Sequence, residues 1–128
     1  MDKTMETGKK LVELCKAGKH LEAMDKLYSP KIVSIEAMAS PTGQMPQRIE
    51  GIKAVREKGE WWEKNHEIHG GDVQGPWPHG DRFIVRFTYD VTAKSGPMKG
   101  KRMKLDEAAL YTVKDGKVVQ EEFFYHMG

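Results

Sequence analysis

The chain has 128 residues, which suits one domain with a single core spanning residues 1–128. A formal net charge of +2 excludes the strongly basic surface of a nucleic-acid binder, and the single cysteine, Cys15, excludes a disulfide framework or a thiolate metal site. No apolar run approaches the roughly 18–20 residues that span a membrane, and the opening residues are too polar for a secretory signal, so a reducing cytoplasm is the expected compartment.

From about Thr4 to Ala17, Leu11, Val12, Leu14 and Cys15 share one stripe, which predicts a helix stopped at Gly18. On that stripe Cys15 reads as a small core residue rather than a nucleophile. A second short helix carries Leu21, Met24, Leu27 and Tyr28 at helical spacing. Ser29-Pro30 ends it, because the residue before proline is pushed out of the helical region. Ile32 to Met38 then reads as a strand, and Ser40 to Arg48, with Pro41, Gly43 and Pro46, as a loop. From about Gly51 to Asn65 the period turns helical again, with Ile52, Val55, Gly59, Trp62 and His66 on one stripe. Gly59 costs this helix about 1 kcal/mol relative to alanine. A close approach of the helix to the sheet would account for it.

His69 to Val73 begins an irregular strand ending at Gly75-Pro76-Trp77-Pro78, and its prolines and glycines suit an edge. Arg82 to Val91, Met103 to Val113 and Val118 to Tyr125 follow as three adjacent antiparallel strands, the last two joined at Asp115-Gly116. The fold class is therefore α+β: three helices from the N-terminal half packed on the concave face of a curved antiparallel sheet that forms a cone. Lys99, Lys101, Arg102 and Lys104 form a local basic cluster, read as a solvated loop and strand entry.

These strands mix apolar residues with acids on a period of two, and a carboxylate on the buried side is costly unless it is paired or used. Glu36, Glu107 and Glu121 are the candidates. Their orientation depends on the hairpin. A two-residue turn sets Val113 opposite Val118, Glu107 opposite Phe124 and Glu121 outward. A three-residue loop with a glycine bulge sets Tyr111 opposite Val119, Ala109 opposite Glu121 and Glu107 opposite Phe123. The bulged version is favoured because it agrees with the register that the family resemblance given below implies, and it turns Glu107, Tyr111, Glu121, Phe123 and Tyr125 toward the cone. On the preceding strand Phe83, Val85, Phe87 and Tyr89 suit a cone lining. Arg86 and Asp90 lie on the other face, and would pair with the acids if they faced inward.

His66, His69, His79 and His126 invite a metal reading, but no acid completes a known zinc pattern, so no metal is expected. His66 reads as a core or helix-capping histidine, or as an acid or base lining the cavity. Trp62 continues the helical stripe as a wall or lid of the cone, while adjacent Trp61 suits an interface. Methionines such as Met38, Met45, Met98 and Met103 read as gap-fillers.

The segments Leu27 to Glu36, Ile49 to Val55, and Tyr111 to Val119 with Phe123-Phe124-Tyr125 behind them carry a resemblance. In order and spacing the chain resembles the cone-shaped superfamily of nuclear transport factor two, ketosteroid isomerase and the SnoaL-like polyketide cyclases, and is most similar to the SnoaL-like branch. The resemblance implies a site between the helices and the concave sheet face. Ketosteroid isomerases shuttle a proton with an aspartate at the end of the first strand, a position that falls on Glu36. Their oxyanion hole uses a first-helix tyrosine, absent here, and an acid on the penultimate strand. Ala109 stands near that position, with Glu107 two residues away on the same face. Steroid isomerisation therefore does not carry over, nor does the Asp-Arg-Asp arrangement of limonene epoxide hydrolases.

The expected function is small-molecule binding, with cofactor-independent proton transfer on an apolar carbonyl compound. Glu36 would be the base, and Glu107, with Tyr125 or His66, would orient substrate or stabilise the enolate. The alternative is a non-catalytic ligand-binding or dimerisation module on the same fold. In either case a homodimer is expected through a convex sheet face carrying Leu110, Val118 and Phe124.

Overall fold

The apolar periods of the chain resolve, in a computed structural model that describes residues 3–38 and 46–125, into three helices and six strands. Helices α1 (Lys3–Lys16) and α2 (His20–Leu27) lead directly into β1 (Tyr28–Ile35). Then come β2 (Arg48–Glu50), α3 (Ile52–Lys64), β3 (His66–His79), β4 (Arg82–Ala93), β5 (Arg102–Lys114) and β6 (Lys117–Phe124). The strand order is β2-β1-β6-β5-β4-β3, so the irregular β3 is an edge. Met45 and His126, and most of the loop read at Ser40 to Arg48, lie outside the described residues.

The α+β class and its three helices follow the sequence reading, with two corrections to the sheet. First, it is mixed: β1 runs parallel to β6, while the other pairings are antiparallel. The parallel pair arises because helices and other strands separate the two in sequence, so no hairpin constrains their direction. Second, β2 pairs with β1 between the loop expected to end at Arg48 and the helix expected from about Gly51, where no strand was expected. Three residues are too few to show a period of two. Tyr28 also changes element. It leaves the helical stripe in extended geometry (φ −86°, ψ 142°) and opens β1 as a buried residue.

Each helix buries one stripe. Leu11 and Val12 of α1, Ala23, Met24 and Leu27 of α2, and Val55 of α3 meet Ile32, Phe83, Val85 and Val118 from the sheet. Fully burying side chains of this kind stabilises the fold by about 1.5–3 kcal/mol each. Gly8 lets α1 press onto the sheet, since a Cβ there would come within 3.1 Å of Pro76 and 3.3 Å of Phe83. Gly59 serves a different contact from the one anticipated. Its missing Cβ would lie 3.0 Å from the Met24 side chain, so the close neighbour is α2 rather than the sheet.

The β5–β6 hairpin decides which side chains face inward. Asp115 (φ 52°) and Gly116 (φ 79°) form a two-residue turn with both residues left-handed, pairing Val113 with Val118. The register then shifts between Val113 and Thr112, so that Thr112 faces Gln120 and Tyr111 faces Glu121. The favoured three-residue loop is thus corrected: the extra residue sits in the strand, not in the turn. The shift restores the parity that a simple two-residue hairpin would have broken. Val118 before it and Glu121 after it are both buried. Val118 is therefore a core residue, not part of the convex face.

Candidate active site

The concave face, closed at one end by α1 and walled by α3, encloses a cavity of about 1020 Å³ that opens to solvent. Sheet parity and the helical stripe of α3 bring Trp62, His66, Phe87, Tyr89, Glu107, Tyr111, Glu121, Phe123, Tyr125 and Glu36 to its lining. Phe83 and Val85, expected there, are instead core. Both are fully buried, and Phe83 stacks on Tyr111 at 5.0 Å beneath α1. At Phe83 the helix leaves no space, since a Cβ on Gly8 would come within 3.3 Å of its ring.

Two acids belong to one hydrogen-bonded chain of polar groups. Glu121 is buried at 1% exposure and accepts from the hydroxyls of Tyr28 and Ser34, the latter at 2.6 Å. Lys58 donates to Ser34 Oγ at 2.7 Å and to Glu36 Oε1 at 2.6 Å. Tyr125 donates to Glu36 Oε2 at 3.1 Å. The sequence reading missed Lys58, Ser34 and Tyr28. Lys58 was visible in principle, three residues after Val55 and four before Trp62 on the apolar stripe of α3. Ser34 shares a strand face with Ile32 and Glu36 by simple alternation.

Glu36 and Glu107 differ sharply in surroundings. Both oxygens of Glu36 are occupied, by Lys58 and by Tyr125. Glu107 has no hydrogen-bond partner among the described residues. Burial pushes its carboxyl up to about 7, and the charges of Glu36 and Glu121 push the same way against a smaller pull from Lys58. Glu121 is also held above its ordinary range by burial, opposed by Lys58 and by its bonds from Ser34 and Tyr28. The same burial, with the Glu121 charge second, drives Tyr28 and Tyr111 well above the usual phenol range.

The aromatic wall is ordered. Trp62 stacks on His66 at 4.6 Å and meets Tyr89 at 5.6 Å. His66 Nδ1 lies 2.7 Å from the Trp62 carbonyl, a pure acceptor, so that nitrogen carries hydrogen and Nε2 is left available. His69 bonds Thr92 instead, and among the described residues no group of three or more His, Cys, Asp or Glu could hold a metal. Burial raises the Cys15 thiol to about 12, which leaves it a poor nucleophile. Arg86 pairs with Asp106 and Arg102 with Asp90 on the outer face, so neither arginine reaches the cavity acids.

A model of SnoaL-like domains matches residues 3–125, nearly the whole chain. The chain belongs to the SnoaL-like family. Among solved structures it is similar to a Mesorhizobium loti protein described as a candidate SnoaL-like polyketide cyclase and also as a carbohydrate phosphatase. The two share 43% identity over 94% of this chain and 97% of that one, with a TM-score of 0.85. Fold-level likeness extends to a nuclear transport factor two-like protein of unknown function from Burkholderia pseudomallei, with 17% identity, 98% and 92% coverage and a TM-score of 0.75. A Catenulispora acidiphila protein of ketosteroid isomerase-like fold, solved with trimethylamine, shares 12% identity, with 91% and 82% coverage and a TM-score of 0.67. No curated protein matches the chain. No helix among the described residues of this SnoaL-like protein is long and apolar enough to cross a membrane.

Proposed function

We propose that this SnoaL-like protein moves a proton on an apolar carbonyl compound bound in the cone, with Glu107 as the acid–base group and no cofactor. The observation that carries this reading is an unpartnered carboxyl lining an aromatic cavity and raised to about 7. A group that titrates near working pH can both take and return a proton, which suits general acid–base catalysis. Glu36, the base by resemblance, is better suited to a fixed charge, since Lys58 and Tyr125 occupy both of its oxygens. The reaction balances as an isomerisation. Glu107 takes a proton from carbon beside the carbonyl, the C–H electron pair forms the enolate double bond, and the carbonyl π pair moves to oxygen. Return of the proton to another carbon of the conjugated system restores Glu107.

The aromatic groups Trp62, Tyr89 and Phe87 supply apolar contact for such a ligand, and His66 Nε2 offers a second polar contact. The 43% identical protein described as a candidate SnoaL-like polyketide cyclase supports the class of chemistry but does not name a substrate. The test is deuterium uptake from solvent into a panel of apolar ketones and enones, followed by mass spectrometry. The expected result is uptake by the native protein that falls by about 100-fold or more in Glu107→Gln, the usual scale for removing a general base. Equal uptake in the variant would refute the assignment. We also propose that the chain works as a homodimer through its convex sheet face.

A further inference from the structure

Among the cavity groups, Lys58 is one that the proton-transfer scheme leaves without a task. Its ammonium carries three N–H donors. One goes to Ser34 and one to Glu36, at 2.7 Å and 2.6 Å, and no acceptor for the third is found among the described residues. Nζ lines the cavity and stands 5.3 Å from the centre of the Phe123 ring. The lysine side chain is only 13% exposed, whereas Lys16 and Lys104 are exposed residues of the lining. Its position is fixed from below by a relay in which Tyr28 and Ser34 hold Glu121, and Ser34 in turn accepts from Lys58.

We infer that Lys58 is the oxyanion-stabilising catalytic residue of the cavity: its free N–H binds the carbonyl oxygen of the substrate and strengthens that bond as the enolate forms. This inference rests on the proton-transfer reading above and narrows the substrate to compounds presenting a carbonyl oxygen beside Phe123. The hydroxyls of Tyr28, Ser34 and Tyr125 already donate to carboxylates. Tyr89 and Tyr111 also line the cavity, but they are neutral phenols. A charge-assisted bond is roughly twice as strong as a neutral one, so the ammonium wins. The charges near it are Glu36 at contact, Glu121 through Ser34, and Glu107, whose carboxyl senses Lys58. The lysine is not proposed to give up its proton; it donates a hydrogen bond to negative charge that appears only during reaction.

The test uses 4-nitrophenol, whose phenolate mimics an enolate oxygen and absorbs at a wavelength distinct from the neutral phenol. It is run at pH 6, where Glu107 keeps its proton. Native protein is expected to bind the dye and to raise its phenolate absorbance. Glu36→Gln, which releases Lys58 from its anion, should raise that absorbance further. Lys58→Met paired with Glu36→Gln removes both members of the Lys58–Glu36 ion pair, and should abolish it. In the deuterium-uptake assay the double variant should lose about 100-fold relative to Glu36→Gln, the scale of a lost oxyanion donor. Opposite signs from the two variants cannot come from a merely structural ion pair, which would only lower stability in both. Absence of dye binding, or a phenolate signal indifferent to Lys58 but lost in Tyr111→Phe, would overturn the inference. If Glu107→Gln abolishes uptake while the double variant matches Glu36→Gln, Lys58 is excluded and Glu107 stands. If neither alters uptake, the proton-transfer reading itself falls.

Discussion

Glu107 lines the cavity with no hydrogen-bond partner among the described residues, and its carboxyl is raised by burial. Moving its carboxyl from the ordinary 4.5 to about 7 amounts to about 3 kcal/mol of disfavoured ionisation. The sign of the effect on stability follows. Between pH 4.5 and about 7 the folded chain holds a proton that the unfolded chain releases. The favourable contribution of this group is therefore complete below 4.5 and is lost as pH rises through about 7. Glu107→Gln removes that dependence. Urea unfolding should find the variant similar to the native protein near pH 4 and more stable by up to about 3 kcal/mol near pH 8. Parallel stability curves for the two proteins would show that the carboxyl titrates normally. Glu36 is the contrasting residue. Lys58 and Tyr125 occupy its two carboxylate oxygens.

At the scale of elements, long amphipathic segments were legible and their exceptions were not. The stripes of α1 and α3 and the alternation of β4 and β5 announce their buried faces, and Glu107, Tyr111 and Phe123 share the cone face as alternation requires. Tyr28 misled because a residue after a helix can satisfy the helical stripe and still open a strand, and only tertiary pairing with Val118 separates the two. The hairpin misled differently. Asp115-Gly116 carries the local signature of a two-residue turn, but a strand bulge has no signature of its own in an apolar-polar mix such as Val119-Gln120. The polar chain from Tyr28 to Tyr125 was the least legible, because it joins β1, α3, β6 and the residue after β6. No local pattern links residues that meet only when the sheet closes on the helices. The local clues were a lysine on an apolar stripe and the alternation that sets Ser34 beside Ile32 and Glu36.

At the scale of the molecule, the cone has an inside that is spoken for and an outside that is not. Trp77, Ile84 and Leu110 line up across β3, β4 and β5, with Phe124 on β6 beside them. Trp77, Ile84 and Phe124 are exposed at 52%, 42% and 50%. Large apolar groups gathered on one face of a sheet favour burial against a partner, and a second copy offers the same apolar row. Light scattering at micromolar concentration should report a dimer, and Phe124→Glu should shift it to monomer while leaving the cavity intact. A native protein that stays monomeric would contradict the homodimer. Proton transfer in the cone depends on the protonation of one half-buried acid, Glu107. The decisive measurement is a carbon-13 NMR titration of the glutamate carboxyls, with Glu107 assigned by its absence in Glu107→Gln. The expected midpoint is about 7. A midpoint near the ordinary 4.5 would mean that the cavity does not desolvate this carboxyl, and the proton-transfer function would lose its base.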